Sequence, residues 1–176
     1  MSDARGSPRS ARSALAEHRG SVMKARFVGV ISDTHGLIRP TALEALAGAE
    51  LILHAGDIGK PEVLDALRNI APVVAIRGNV DRGPWAADLP EARSVEVFGE
   101  RGYLVHDLKT FEHQVPDKHT LIVHGHSHKP GCHRHNGVLY LNPGSAGPRR
   151  FKLPISVARL HLVDGGLRGE IIELPP

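Results

Sequence analysis

Five short apolar runs in this chain are each followed at once by Asp, Asn or His, and no other feature limits its fold so tightly. The runs are Phe27-Val28-Gly29-Val30-Ile31, Leu51-Ile52-Leu53, Val73-Val74-Ala75-Ile76, Tyr103-Leu104-Val105 and Leu121-Ile122-Val123. After them come Asp33-Thr34-His35, Gly56-Asp57, Gly78-Asn79, His106-Asp107 and Gly125-His126-Ser127-His128. Short runs of aliphatic and β-branched residues bounded by polar loops read as strands. An α/β fold places its ligand site at strand ends. Five ends carrying carboxylate, amide and imidazole groups point to one mixed oxygen and nitrogen metal centre.

Between the runs the pattern reads as βαβαβ. A strand over 26–31 leads to a helix over 40–47, a strand over 50–54 to a helix over 61–69, and a third strand spans 72–76. Each helix begins with Pro, which suits a first helical position. Val63, Leu64 and Leu67 share one helical face. The second half changes to paired strands. Gly99-Glu100-Arg101 reads as the turn joining 93–98 to 102–106, and 107–118 as a polar connection. Asn136-Gly137 marks a hairpin within 132–140. A last hairpin joins 155–163 to 167–174 around Asp164-Gly165-Gly166. The expectation is an α/β chain with two packed sheets and helices outside. It has one domain over 26–176 and an extension over 1–25.

Composition enters at three points. Residues 1–26 hold six Arg/Lys against two acids, while residues 27–176 hold 16 basic and 17 acidic groups. The basic character therefore belongs to the extension, which is expected to be disordered and lacks the apolar stretch of a secretory signal. The balance of the remainder weighs against a nucleic-acid partner. Cys132 is the single cysteine, which excludes an internal disulfide and points to a cytoplasmic setting. No apolar stretch reaches the roughly 18 residues of a membrane span. Homodimers or higher homo-oligomers are left open.

Asp33, His35, Asp57, Asn79, His106, His126 and His128 make seven candidate ligands. That is too many for one structural zinc and suits two divalent ions sharing Asp57 and a water. Three or four imidazoles favour Mn, Ni, Co, Fe or Zn over Mg or Ca. Two such ions activate a bridging hydroxide and clamp phosphate oxygens. No Gly-x-Ser-x-Gly nucleophile motif is present. Any one of these residues alone would be an ordinary turn former or loop residue.

The order Asp-x-His, Gly-Asp, Gly-Asn, His, Gly-His-x-His resembles the calcineurin-like metallophosphoesterases. Ile31-Ser32-Asp33-Thr34-His35-Gly36, His54-Ala55-Gly56-Asp57, Gly78-Asn79-Val80-Asp81, Gly125-His126-Ser127-His128-Lys129-Pro130 and Asn142-Pro143-Gly144-Ser145 resemble the YfcE-type bacterial and archaeal phosphodiesterase branch. The resemblance spans 26 to about 174. It implies a four-layer α/β/β/α sandwich of two mixed sheets, and hydrolysis of a small phosphodiester or phosphomonoester. Asp33, His35, Asp57 and His128 would hold one ion, and Asp57, Asn79, His106 and His126 the other, with Mn as the leading choice. Asn79 would also touch the phosphate. Val80 stands where many members of the wider superfamily have a His that protonates the leaving group. His124 is a candidate substitute acid and His54 a candidate supporting residue. Asp107, where Gly is frequent in this branch, would either orient His106 or begin the next turn. Arg149 and Arg150 are candidate phosphate-neutralising groups. Rival readings are a non-catalytic interaction module and a nuclease.

Overall fold

The structure, a computed structural model, describes residues 26–111 and 118–176, the side chain of Phe111 excepted. The expected disorder of the N-terminal extension falls outside the described residues.

The first half alternates strand and helix. Strand β1 is Val28–Ile31, helix α1 Pro40–Leu46, β2 Leu51–His54, α2 Pro61–Arg68 and β3 Val73–Ala75. Neither helix has a side-chain cap. Each opens on Pro, whose missing N–H would be unpaired there in any case. In α2, Val63, Leu64 and Leu67 are buried. Gly29 in β1 makes room for α1, because a Cβ there would lie 2.8 Å from Leu46 Cδ2.

A 3-10 turn at Pro84–Ala86 leads to the second half. Here β4 is Ala92–Val97, β5 Glu100–Val105, α3 Leu108–Phe111, β6 Leu121–Val123, β7 Gly131–His135 and β8 Val138–Asn142. Strands β9, Ile155–Val163, and β10, Gly166–Leu174, close the chain.

Two mixed five-stranded sheets result, with orders β10-β9-β1-β2-β3 and β4-β5-β6-β8-β7. In each, three neighbouring strands are parallel: β1, β2 and β3 in one, β5, β6 and β8 in the other. Val30, Leu53, Leu104, Leu121, Val123, Leu141 and Leu160 form the core between the sheets. Ile31, Leu46, Ile52, Val63 and Leu67 form a second core under α1 and α2. Strands buried on both faces need continuous apolar runs, which is why β1, β2 and β6 show no alternation. The α/β sandwich is as expected from the sequence; among the described residues, α3 is the only α-helix of the second half.

Two details correct the reading of the sequence. The β4–β5 turn is Phe98-Gly99, because Val97 pairs with Glu100. Both turn residues have positive φ, 54° and 83°, as a type I′ turn requires. Phe is a rare occupant of that position, so the Gly99-Glu100-Arg101 stretch was the stronger signal in sequence. The polar connection after β5 also begins with a helical turn, α3. Asp107 caps it, its carboxylate accepting from Lys109 N–H at 3.1 Å and from the Thr110 hydroxyl at 3.2 Å.

Candidate metal centre

The carboxyl ends of all six parallel strands open on the same region. Asp33 and His35 follow β1, Asp57 follows β2, and Asn79 lies beyond β3. His106 follows β5, and His126 and His128 follow β6. Six of the seven candidates come together in two groups whose ligand atoms lie within 4.8 Å of one another: Asp33, His35 and His128, and Asp57, His106 and His126. Asn79 is exposed beside His106, both lining one cavity.

Each buried carboxylate is half committed. Asp33 Oδ2 accepts from the Ser32 hydroxyl at 2.7 Å and from His126 N–H at 3.1 Å. Its Oδ1 is buried without a hydrogen-bond partner among the described residues, 3.3 Å from His128 Nε2. Asp57 Oδ1 accepts from Val80 N–H at 3.1 Å. Its Oδ2 lies 3.3 Å from His106 Nε2 and 3.8 Å from His35 Nε2, so Asp57 stands between the two groups. His106 Nδ1–H donates to the Ala55 carbonyl at 2.7 Å, which aims Nε2 inward. That Nε2 is buried without a hydrogen-bond partner among the described residues. Nε2 of His35 and Nε2 of His128 face each other at 3.2 Å.

Buried polar atoms are ordinarily paired. Bare oxygen and nitrogen lone pairs converging from four loops fit divalent cations of the borderline class, which take imidazole and carboxylate together. The donor atoms of each group therefore fit a divalent metal ion.

The local electrostatics agree. Burial acts against the Asp57 carboxylate, but the facing His106 imidazole, the Val80 N–H and His35 outweigh it and hold its pKa at about 2. Burial also acts against a charged His106; the Asp57 carboxylate and the Ala55 carbonyl outweigh it and raise the pKa. Burial lowers the pKa of His35. Protons on such rings are the species a metal displaces.

The backbone is strained at this site and gives way to it. Asp33, His35, Asp57, His126 and His128 all have φ between 47° and 64°. A left-handed conformation costs a non-glycine residue on the order of 1–2 kcal/mol. Such strain concentrates at functional sites. Two loops approach through missing side chains. A Cβ on Gly78 would sit 2.2 Å from Asp57 Oδ1, and one on Gly125 would sit 2.1 Å from Ser32 Oγ.

His54 is fully buried behind the ligand loops. Its Nδ1 accepts from Gly56 N–H at 3.2 Å and its Nε2 faces Thr34 Oγ1 at 3.0 Å. Thr34 in turn donates to the Ile58 carbonyl at 3.0 Å. Burial lowers the pKa of His54 to about 4. The ring is thus a neutral brace between the β1 and β2 loops and belongs to neither ligand group. His124 is held at Nδ1 by the Asn142 side-chain amide at 3.3 Å. Burial lowers its pKa, which disfavours the charged imidazolium form. Val80 is 46% exposed and places no acid at its position. Asp107 Oδ2 is 3.7 Å from His126 Nε2; the Ala55 carbonyl, not Asp107, orients His106.

Three residues matter more than their sequence context suggested. Asp81 accepts Ile58 N–H at 3.1 Å, Gly59 N–H at 2.7 Å and Gly78 N–H at 2.7 Å, tying the Asp57 loop to the Asn79 loop. Asn142 donates to the Gly125 carbonyl at 2.9 Å and to Ser127 Oγ at 3.0 Å. Ser145 Oγ donates to the Asp33 carbonyl at 2.9 Å. The only sequence signals for them were their places in Gly78-Asn79-Val80-Asp81 and Asn142-Pro143-Gly144-Ser145.

Two cavities flank the second group. One of about 380 Å³ is lined by Arg77, Asn79, Arg82, Glu91, His106 and Thr110 among others. The other, of about 410 Å³, is lined by Leu108, Lys109, His124 and His126 among others. Asp107 borders both. Arg82 and Glu91 reach the first cavity from the segment between β3 and β4, and Asp107 and Thr110 from the connection after β5. Trp85 and Phe98 pack against the two cores.

Two candidate ligand groups thus stand at the parallel strand ends of a pair of mixed sheets. Residues 27–165 match the calcineurin-like phosphoesterase superfamily domain, and the chain belongs to that superfamily. A probable metallophosphoesterase of Methanothermobacter thermautotrophicus is 33% identical over 160 residues, covering 84% of this chain and 92% of that protein. An archaeal phosphodiesterase superposes with a TM-score of 0.69 at 22% identity, covering 83% of this chain and 99% of that one. Vps29 of Entamoeba histolytica, solved with Zn²⁺, superposes with a TM-score of 0.59 at 24% identity, covering 84% and 98%. These last two likenesses speak for the fold.

Proposed function

We propose that this protein is a phosphodiesterase that works with two divalent ions, Mn²⁺ foremost. Asp33, His35, Asp57 and His128 would hold one ion, and Asp57, Asn79, His106 and His126 the other. The observation that carries the reading is the pair of ligand groups with Asp57 between them and bare, buried donor atoms turned inward. When bound, the ions would supply Lewis acidity toward water and phosphate.

The chain's own residues do the rest. Ser32 and the His126 N–H hold one Asp33 oxygen so that the other is presented. The Ala55 carbonyl fixes His106 with Nε2 inward. His54 acts as a positioning residue through Thr34 and Gly56. Asn79 reaches toward the phosphate. A diester carries two substituents, and the two cavities on either side of Asp107 offer a place for each. With Val80 in place of an acid, leaving groups that need no protonation fare best, since general-acid help is typically worth about 10²–10⁴-fold.

The test is hydrolysis of bis-p-nitrophenyl phosphate and of p-nitrophenyl phosphate by metal-stripped protein resupplied with Mn²⁺, beside Asp57→Asn. Expected is Mn-dependent turnover, diester over monoester, reduced in Asp57→Asn by at least the 10²–10³-fold typical of losing one electrostatic stabiliser. The second reading is an interaction module, favoured by Val80 and by the likeness to Vps29. Two bound ions with no turnover of either ester would select it.

A further inference from the structure

The loop after β8 carries one cation to the metal centre and another away from it. Its start is pinned: Ala146 N–H donates to the Ser32 carbonyl at 3.1 Å, and Ser145 Oγ donates to the Asp33 carbonyl. Gly147 lies so close that a Cβ would be 2.4 Å from the Thr34 carbonyl oxygen. Three residues on, Arg150 donates from Nη2 to His35 Nε2 at 3.4 Å. Arg150 has no carboxylate partner among the described residues. Arg149 turns elsewhere and lines a separate cavity with Lys152, Ile155 and Glu173.

His35 Nε2 is the atom that faces His128 and Asp57. A cation bound there takes the lone pair that Arg150 now uses. The guanidinium is then left facing a second positive charge at short range, an arrangement that repels unless an anion lies between them. A guanidinium presents a planar fork of donors matched to phosphate oxygens.

We infer that Arg150 forms, with the Asp33–His35–His128 group, a binding site for a non-bridging phosphate oxygen of the substrate. This deepens the phosphodiesterase reading and rests on it. The guanidinium neutralises charge on the phosphoryl group beside the first ion, and the pinned loop brings it there without closure of a lid. Arg149, one residue away, takes no part.

The experiment measures binding of inorganic phosphate to full-length, Mn-loaded protein by calorimetry, with metal content determined in parallel. Wild type, Arg150→Ala, Arg150→Lys and Arg149→Ala are compared, and kcat and KM for bis-p-nitrophenyl phosphate are measured on the same samples. Arg150→Ala is expected to weaken phosphate binding about ten- to a hundredfold, the usual scale for a charged hydrogen bond, with metal content unchanged. Arg150→Lys recovers part of the loss, because the charge is kept and the fork is not. Arg149→Ala stays within about twofold of wild type.

Equal phosphate affinity in wild type and Arg150→Ala overturns the site, whether or not the esters are hydrolysed. So does a wild type that holds Mn²⁺ and binds no phosphate. Affinity that depends on Arg150 in a protein that hydrolyses neither ester upholds the site and sinks the catalytic reading instead.

Discussion

Asp33 shows how single residues build this site. One oxygen is tied by two donors and the other is bare, so the side chain cannot turn its free lone pairs away from the centre. His106 repeats the device with its two ring nitrogens. His54 shows the opposite arrangement, a ring with both nitrogens satisfied and no exposure. Its pKa falls from an ordinary 6.5 to about 4 because burial disfavours the charged form. Between those values the unfolded chain takes up a proton that the folded chain refuses. Its contribution to stability is therefore present above pH 6.5 and is lost as pH falls toward 4, by about 3 kcal/mol. Urea unfolding of metal-free protein at pH 7 and pH 4.5 should show this loss, and His54→Gln should remove that part of it. An equal acid-side loss in both proteins would refute the brace. The identities of the candidate ligands were legible in the sequence. Which atom of each is free was not, because that depends on partners from distant segments: the Ala55 carbonyl that accepts from His106, and the His126 N–H that donates to Asp33.

At the scale of elements, the strands serve to bring six loops to one place. Their apolar runs were readable because buried parallel strands leave little room for polar residues. The turns were readable where Asn136-Gly137 and Asp164-Gly165 supplied the positive φ their hairpins need, and misread where Phe98 took that conformation. The close contact between loops was not legible at all. Gly78 looks like a turn former, yet the Asp57 carboxylate occupies the space a side chain would need. Gly78→Ala should therefore push the Asp57 loop aside, costing about 1–3 kcal/mol as overpacking typically does and lowering the metal bound per chain. Mass-spectrometric metal counts and thermal unfolding would check it. Normal metal content at normal stability would show that the loops yield without cost. Asp81, with three backbone N–H groups on its carboxylate, is the clamp that holds these two loops in register.

For the whole molecule, two sheets packed on a shared core set the frame, and their parallel halves are aligned so that Asp57 stands between the two ligand groups. A centre that brings two carboxylates and four imidazoles together gains stability from cations. At a free Mn²⁺ concentration of 100 times its dissociation constant, the native state gains about 2.7 kcal/mol. For a chain of this size that raises the melting temperature by roughly 5–10 °C. Calorimetry of chelator-treated and Mn-loaded protein would measure it, and identical melting curves would mean that the groups hold no ion.

The sequence by itself determined the alternation of strands and helices, the two-sheet fold class and the residues gathered at the strand ends. Those follow from local patterns: apolar runs, Pro at helix starts, and chemically distinctive residues just after strands. Only the tertiary structure decided which atoms of these residues are left bare, that His54 is sealed behind them, and that Arg150 rather than Arg149 reaches His35. These relations join residues 20 to 115 positions apart, and they are set by how two sheets pack and loops interlock. No short-range pattern in the chain encodes that packing.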